Sequence, residues 1–362
     1  MDVVVVGAGA AGLAATAGLA AGGADVVCLE ARDRIGGRLL TVDAGPGRVD
    51  LGASWFWSGE ERVERLVAAA SIPVHPQHLD GDALYDSAAG LRRLAGNPID
   101  VPARRYTDGA RSVVDALSTG LQPGTVRLGS PVSSISADAG GVRVAGPGTE
   151  VTARHVVVAL PPALAVEAIG FAPALPAELE RLARMTPVWM GNTVKVVAVY
   201  RQPFWRSAGL AGAAISEIGP LREIHDLSGP EGDDPAALFG FAPANPGGPP
   251  LAPGQVVDQL VRMFGPAAAA PQEVLVTDWS RERWTSPPGA GQSAAYQLFG
   301  HRAYQQPALL GRLHWASTET ATASPGHVEG ALEAAARAAS TVLAALRSPA
   351  GTAPPAPIRK AR

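Results

Sequence analysis

Asp2-Val3-Val4-Val5-Val6-Gly7-Ala8-Gly9-Ala10-Ala11-Gly12 is the stretch whose reading decides the fold. The β-branched run predicts a buried strand, and the glycines follow it without a spacer. Leu13 to Ala21 is rich in Ala and Leu and predicts a helix that stops at Gly22-Gly23. Asp25 to Leu29 then predicts a second strand, closing on Glu30. In such a strand, turn, helix and strand, Gly7 permits the turn, Gly9 lets the backbone approach a pyrophosphate, and Gly12 lets helix and strand pack closely. Ala10 and Ala11 lie in the turn as cofactor candidates, and the helix after it offers its first N–H groups and positive dipole end to phosphates. Glu30 lies about 20 residues beyond the glycines, where an acid accepts ribose hydroxyls. A glycine-rich turn in an ordinary parallel sheet would require none of this context.

The next stretch, Glu30-Ala31-Arg32-Asp33-Arg34-Ile35-Gly36-Gly37-Arg38, adds a second glycine pair and more arginines, which a nicotinamide-binding fold does not need. It resembles the ExxxRxGGR signature of the flavin amine oxidase family. That resemblance implies FAD, with Gly36, Gly37 and Arg38 against its pyrophosphate and Arg34 supporting the turn. Ala31 and Arg32 are carried as cofactor candidates with the signature, although the plainer reading of Arg32 and Asp33 is solvated loop charge.

Composition bounds the remainder. At 362 residues two domains are the default, and a net charge of -3 gives no reason to expect nucleic acid or an anionic membrane as partner. The single cysteine, Cys28, falls in a predicted core strand, so no disulfide framework is expected. The apolar start lacks a basic segment and no apolar run would span a bilayer, which predicts a soluble cytoplasmic protein.

Arg48 to Trp55 resembles the family's DxGAxW stretch, which implies that Gly52, Ala53, Ser54 and Trp55 contact the flavin. Glu60 to Ala70 predicts an amphipathic helix. From Ile72 to Arg105 the pattern is irregular and proline-punctuated; Pro76 between His75 and His78 argues against a shared helical face, and no metal is expected. Asp108-Gly109 and the helix after it match the family's return to the FAD domain, and residues 129–144 alternate as a hairpin does. By resemblance Val132 packs near the adenine, and the strand 155–160 ends at its expected double proline, with Ala159 a cofactor contact. The segment of about 72–107 is shorter than in typical relatives, so a helical cover is missing or supplied by another subunit.

Only two lysines occur, Lys195 and Lys360, and Lys195 interrupts the apolar strand Asn192 to Tyr200. Burying an ammonium is costly unless something pairs with it or uses it; the plain alternative is a snorkelling edge-strand lysine. The resemblance implies a catalytic Lys195 that holds a water against the flavin. Residues 220–253 read as strands and loops, and 255–264 as a surface helix. Thr277 to Trp284 resembles the family's tryptophan-bearing approach to the flavin ring, giving Trp279 and Trp284 as contacts. No cysteine lies between Trp284 and Tyr296, so FAD is expected to be noncovalent.

Gly311 to Thr320 and Gly326 to Ala331 resemble the family's closing motif, in which a helix N-terminus faces the flavin pyrimidine. Ser317, Thr318, Glu319, His327 and Val328 are cofactor candidates there, and Ser317 departs from a usual glycine. His327 stands where relatives often place one wall of an aromatic cage; an imidazole can also take a proton, so His327 is a catalytic candidate beside a purely structural reading. Trp57, Trp189, Tyr296 and Phe299 read as core.

Taken together, the sequence predicts an α/β protein with a Rossmann-like FAD-binding domain (1–71, 108–162, 301–348), an inserted α+β substrate domain (72–107, 163–300) and a disordered tail (349–362). The expected activity is oxidation of a C–N bond of an amine or amino acid, by hydride transfer to flavin with molecular oxygen as acceptor, in a monomer or homodimer. The alternatives are a flavin-dependent desaturase or biosynthetic oxidase acting on a C–C or C–O centre, a nicotinamide-dependent dehydrogenase, and a flavin-free interaction protein.

Overall fold

The computed structural model describes residues 1–232, 235–287 and 295–348, so the expected tail lies outside the described residues. The elements that carry the site are, in chain order, β1 (Val3–Val6), α1 (Ala10–Ala21), β2 (Val26–Leu29), α2 (Glu61–Ala69), β3 (His155–Val158), β4 (Thr193–Tyr200), β5 (Leu313–Trp315) and α3 (Val328–Arg347).

β1 is apolar at every position because both its faces are covered. Val3 and Val5 pack with Leu13, Leu19, Ala335 and Val342, whereas Val4 and Val6 pack with Ile135, Val156 and Leu179. The sheet is parallel in the order Val126–Arg127, β2, β1, β3, β5, with Val3 opposite both Val26 and His155. The carboxyl ends of its strands therefore share one edge, which Gly7, Glu30, Ala159 and Ser317 follow. This is the edge at which ligands bind in open α/β sheets.

A second sheet of seven strands runs Glu273–Asp278, β4, Ala236–Pro243, Glu223–Asp226, Leu210–Ser216, Asp82–Ser87 and Gly90–Leu94. β4 is flanked on both sides, with Lys195 opposite Phe241 and Thr277. Lys195 is therefore not an edge-strand lysine.

Two segments differ from the sequence reading. Residues 72–107, read as irregular as far as Arg105, hold four short strands, Val74–Pro76, Asp82–Ser87, Gly90–Leu94 and Arg104–Tyr106, and no helix. The strands are only three to six residues long, too short for periodicity to show, and neighbours supply the pairing. Residues 163–185, expected in the substrate domain, instead go with the N-terminal unit: Gly170–Ala172 pairs with Ser134–Ala137 in a four-stranded sheet with Val142–Gly146 and Thr149–Ala153, and Leu179 and Ala183 join the core around Val4 and Val6.

Candidate active site

A cavity of about 620 Å³ lies between the carboxyl edge of the parallel sheet and the face of the seven-stranded sheet. Its wall includes Gly7, Gly9, Ala10, Ala11, Glu30, Ala31, Arg32, Gly36, Gly37 and Arg38 from the N-terminal unit. Gly52, Ala53, Ser54, Trp55, Val132, Ala159, Lys195, Trp279, Trp284, Ser317, Thr318, His327 and Val328 complete the set predicted from sequence. Two predicted positions are not on this wall. A Cβ on Gly12 would stand 1.8 Å from the Gly7 carbonyl oxygen, so Gly12 serves the packing of the turn. Glu319 is fully buried, and its carboxylate accepts from Arg38 at 2.6 Å and from the Trp189 N–H at 3.2 Å.

Glu30 is spent on its own loop, Oε2 accepting the Ala8 N–H at 2.7 Å and Oε1 the Arg32 N–H at 2.9 Å. Arg32 is not a solvated charge: it donates to Glu282 at 2.6 Å and to Thr285 at 2.8 Å. Asp33 is exposed, as read.

At the other end, the Lys195 Nζ donates to the Gly52 carbonyl at 2.8 Å and to the Ser54 hydroxyl, and lies 4.4 Å from the Phe239 ring centroid. Burial pushes its ammonium down to about 7, with the Asp50 carboxylate opposing that shift and Arg105 adding to it. Asp50, itself raised by burial, accepts from Thr41 and from the Ala110 N–H.

Trp57 and Trp189 are wall rather than core, with the His327 ring 4.8 Å from Trp57 and 6.3 Å from Trp189. Tyr296 is half exposed and does not line the cavity. Sequence reasoning missed Phe239 and Phe241, on the strand Ala236–Pro243 beside β4, and Arg222 and Glu223, at the start of the next strand over, all of which reach the wall. The His225 ring, 3.6 Å away, holds the Glu223 carboxyl below its ordinary range. Among the described residues no cluster suited to a metal ion occurs.

A family model described as flavin containing amine oxidoreductase matches residues 76–343, and one for an NAD(P)-binding Rossmann-like domain matches residues 5–70. The chain belongs to the flavin-containing amine oxidoreductase family. It is 29% identical, over 96% of its length and 97% of the relative's, to a putative flavin-containing monoamine oxidase AofH of Mycobacterium tuberculosis. It is 26% identical to the putrescine oxidase of Kocuria rosea over 95% of each chain. The solved structure of a cyclohexylamine oxidase from Brevibacterium oxydans shares its fold, with a TM-score of 0.83, 23% identity, and coverage of 96% of this chain and 99% of that one. The alignment with the mycobacterial relative runs over 449 positions against 362 residues here, so the relatives carry insertions that this amine oxidoreductase lacks.

This flavoenzyme's cofactor is FAD, and the cavity fits it. Gly9 has φ −76° and a Cβ there would meet nothing nearer than 3.9 Å, so the fold does not demand a glycine. The bare backbone there leaves room for a group lying against it, as a pyrophosphate would. No side chain caps α1, whose first turn holds no acid, leaving its N–H groups to an anion. The Ser317 Oγ is buried on the wall without a protein partner among the described residues. The sole thiol, Cys28, is buried inside β2 and pushed up to about 12 by that burial, and it cannot serve as a covalent link. Among the described residues no helix is long and apolar enough to cross a membrane.

Proposed function

We propose that the reaction is oxidation of the C–N bond of a small amine or amino acid in a cytoplasmic setting. FAD, when bound, supplies the acceptor for a hydride leaving the carbon beside nitrogen, and molecular oxygen takes the electrons on. The observation that carries this reading is Lys195: the one described lysine, placed on an interior strand yet aimed at the same cavity that Gly9 lines. Two of its three N–H donors go to Gly52 and Ser54, which leaves one for a water or the substrate. With its ammonium pushed to about 7, Nζ can give and take a proton near neutral pH. Gly9, Gly36, Gly37 and the first turn of α1 hold the pyrophosphate, and Val132 lies toward the adenine. Trp57, Trp189, Phe239 and Phe241 present ring faces that exclude water and orient an amine.

The test is the visible spectrum of the purified protein before and after denaturation, followed by anaerobic titration with amines and amino acids. A flavin released on denaturation and bleached by one amine class supports the proposal. A bound flavin that no amine or amino acid bleaches overturns it.

A further inference from the structure

His327 is held by a carboxylate that the sequence reading assigned only to a helix start. Its Nδ1 lies 2.6 Å from Oε1 of Glu60, a residue 6% exposed. The other Glu60 oxygen accepts the Trp57 N–H at 3.2 Å, so the carboxylate is fixed from both sides. The imidazole lies beside Trp57, tilted 32° to it at 4.8 Å, and 6.3 Å from the Trp189 ring, and its side chain keeps 34% of its surface exposed at the cavity. A carboxylate accepts from Nδ1–H, which leaves the neutral ring with its lone pair on Nε2. That nitrogen has no partner among the described residues.

An alkylamine in neutral water is an ammonium, with a pKa near that of lysine, about 10.4. An ammonium has no lone pair, and without one the neighbouring C–H cannot leave as hydride. Unless only the free amine is taken from solution, about one molecule in 2,500 at pH 7, a proton is removed inside the cavity. Glu30 is committed to two backbone N–H groups and Glu223 faces His225, while Lys195, which can also trade a proton, is already tied to Gly52 and Ser54. Resting on the amine reading above, we propose that the Glu60–His327 pair is the acceptor that converts the bound ammonium to the free amine. One N–H bond of the ammonium breaks, an Nε2–H bond forms, and the electron pair stays on the substrate nitrogen. His327 is then a catalytic residue, and Glu60 a positioning residue that fixes the tautomer and offsets the imidazolium charge. The other charged groups on the packed elements are spoken for: Arg62 with Glu329, Arg38 with Glu319, and Lys195 with Gly52 and Ser54. Behind Glu60 stands the Tyr106 phenol, raised by burial and by the Glu60 charge.

Nitrogen NMR on the holoenzyme labelled at histidine tests the pair without turnover. The His327 ring should show Nδ1–H with a bare Nε2, and at pH 7 Nε2 should gain a proton on titration with cumylamine, which binds as an amine but has no C–H beside nitrogen to lose. Glu60→Gln should exchange the tautomer while retaining FAD. In anaerobic stopped flow with benzylamine, Glu60→Gln and His327→Gln should slow flavin reduction about 100-fold at pH 7, and the deficit should shrink as pH approaches 10. Glu60→Asp should recover part of the rate. An Nε2–H tautomer in the wild type, a ring indifferent to cumylamine, or a deficit equal at every pH overturns the proposal. Failure of the amine reading is separate: it would appear as a wild-type flavin that no amine bleaches, and the NMR result would still decide the pair.

Discussion

Lys195 shows how a rare residue type makes a site legible. Its isolation in an apolar strand was visible in the sequence, and the structure adds the reason it is tolerated: two acceptors and a ring face surround Nζ. Lys195→Met should keep FAD bound and slow flavin reduction or reoxidation by at least about 100-fold, measured by stopped flow; unchanged rates in both would remove Lys195 from the chemistry. A second readout follows from burial. The unfolded chain holds the lysine proton up to 10.5, whereas the folded one releases it near 7. Between those values the unfolded state binds more protons, so stability rises with pH. The wild-type Tm should climb across that window relative to Lys195→Met. Glu60, Glu223 and Trp189 were not legible in this way. A glutamate before a helix and a tryptophan in an apolar run are ordinary, and only long-range packing turns them to the cavity.

At the scale of elements, the glycine-rich turn was read correctly because local sterics set it. The three glycines nevertheless differ in what they answer to, and substitutions should separate them. Gly12→Ala puts a methyl into the Gly7 carbonyl and should cost about 3 kcal/mol or more, seen as loss of soluble folded protein. In Gly9→Val the added Cβ meets nothing nearer than 3.9 Å, so circular dichroism should be unchanged while the bound-flavin absorbance is lost. A Gly9→Val protein that keeps FAD would show that the space beside Gly9 is not the pyrophosphate's. The four short strands within 72–107 were illegible for the opposite reason. They exist because Leu210–Ser216 and Trp55–Phe56 offer edges to pair with, and nothing within the segment announces that.

For the whole molecule, the two sheets answer acid differently. His155 and His314, 3.3 Å apart on β3 and β5, are held by burial at about 4 and about 3, and His75 at about 4. Each takes up a proton on unfolding below 6.5, so the stability they lend is complete above that pH and is lost as pH falls toward 4. His225 runs the other way: Asp100 and Glu223 outweigh its burial and raise it. Thermal melts from pH 8 to 4 should show Tm falling below 6.5, and replacing His155 and His314 together with Asn should flatten that fall whatever the absolute Tm. A curve of unchanged slope would show that the pair is not neutral in the fold. The parallel sheet around it was legible from four valines. The division of the chain between the sheets was not, because residues 163–185 choose their sheet by contacts formed with strands far away in sequence.

The starts of α2 and α3 are tied in both directions. Glu60, before α2, takes His327, and Glu329, in the first turn of α3, takes the N–H groups of Arg62 and Val63 together with the Arg62 guanidinium. Two helices 267 positions apart therefore have one opening event between them. In hydrogen exchange the amides at 62–64 and 330–333 should lose protection together, at one rate, and a ligand seated against His327 should slow both.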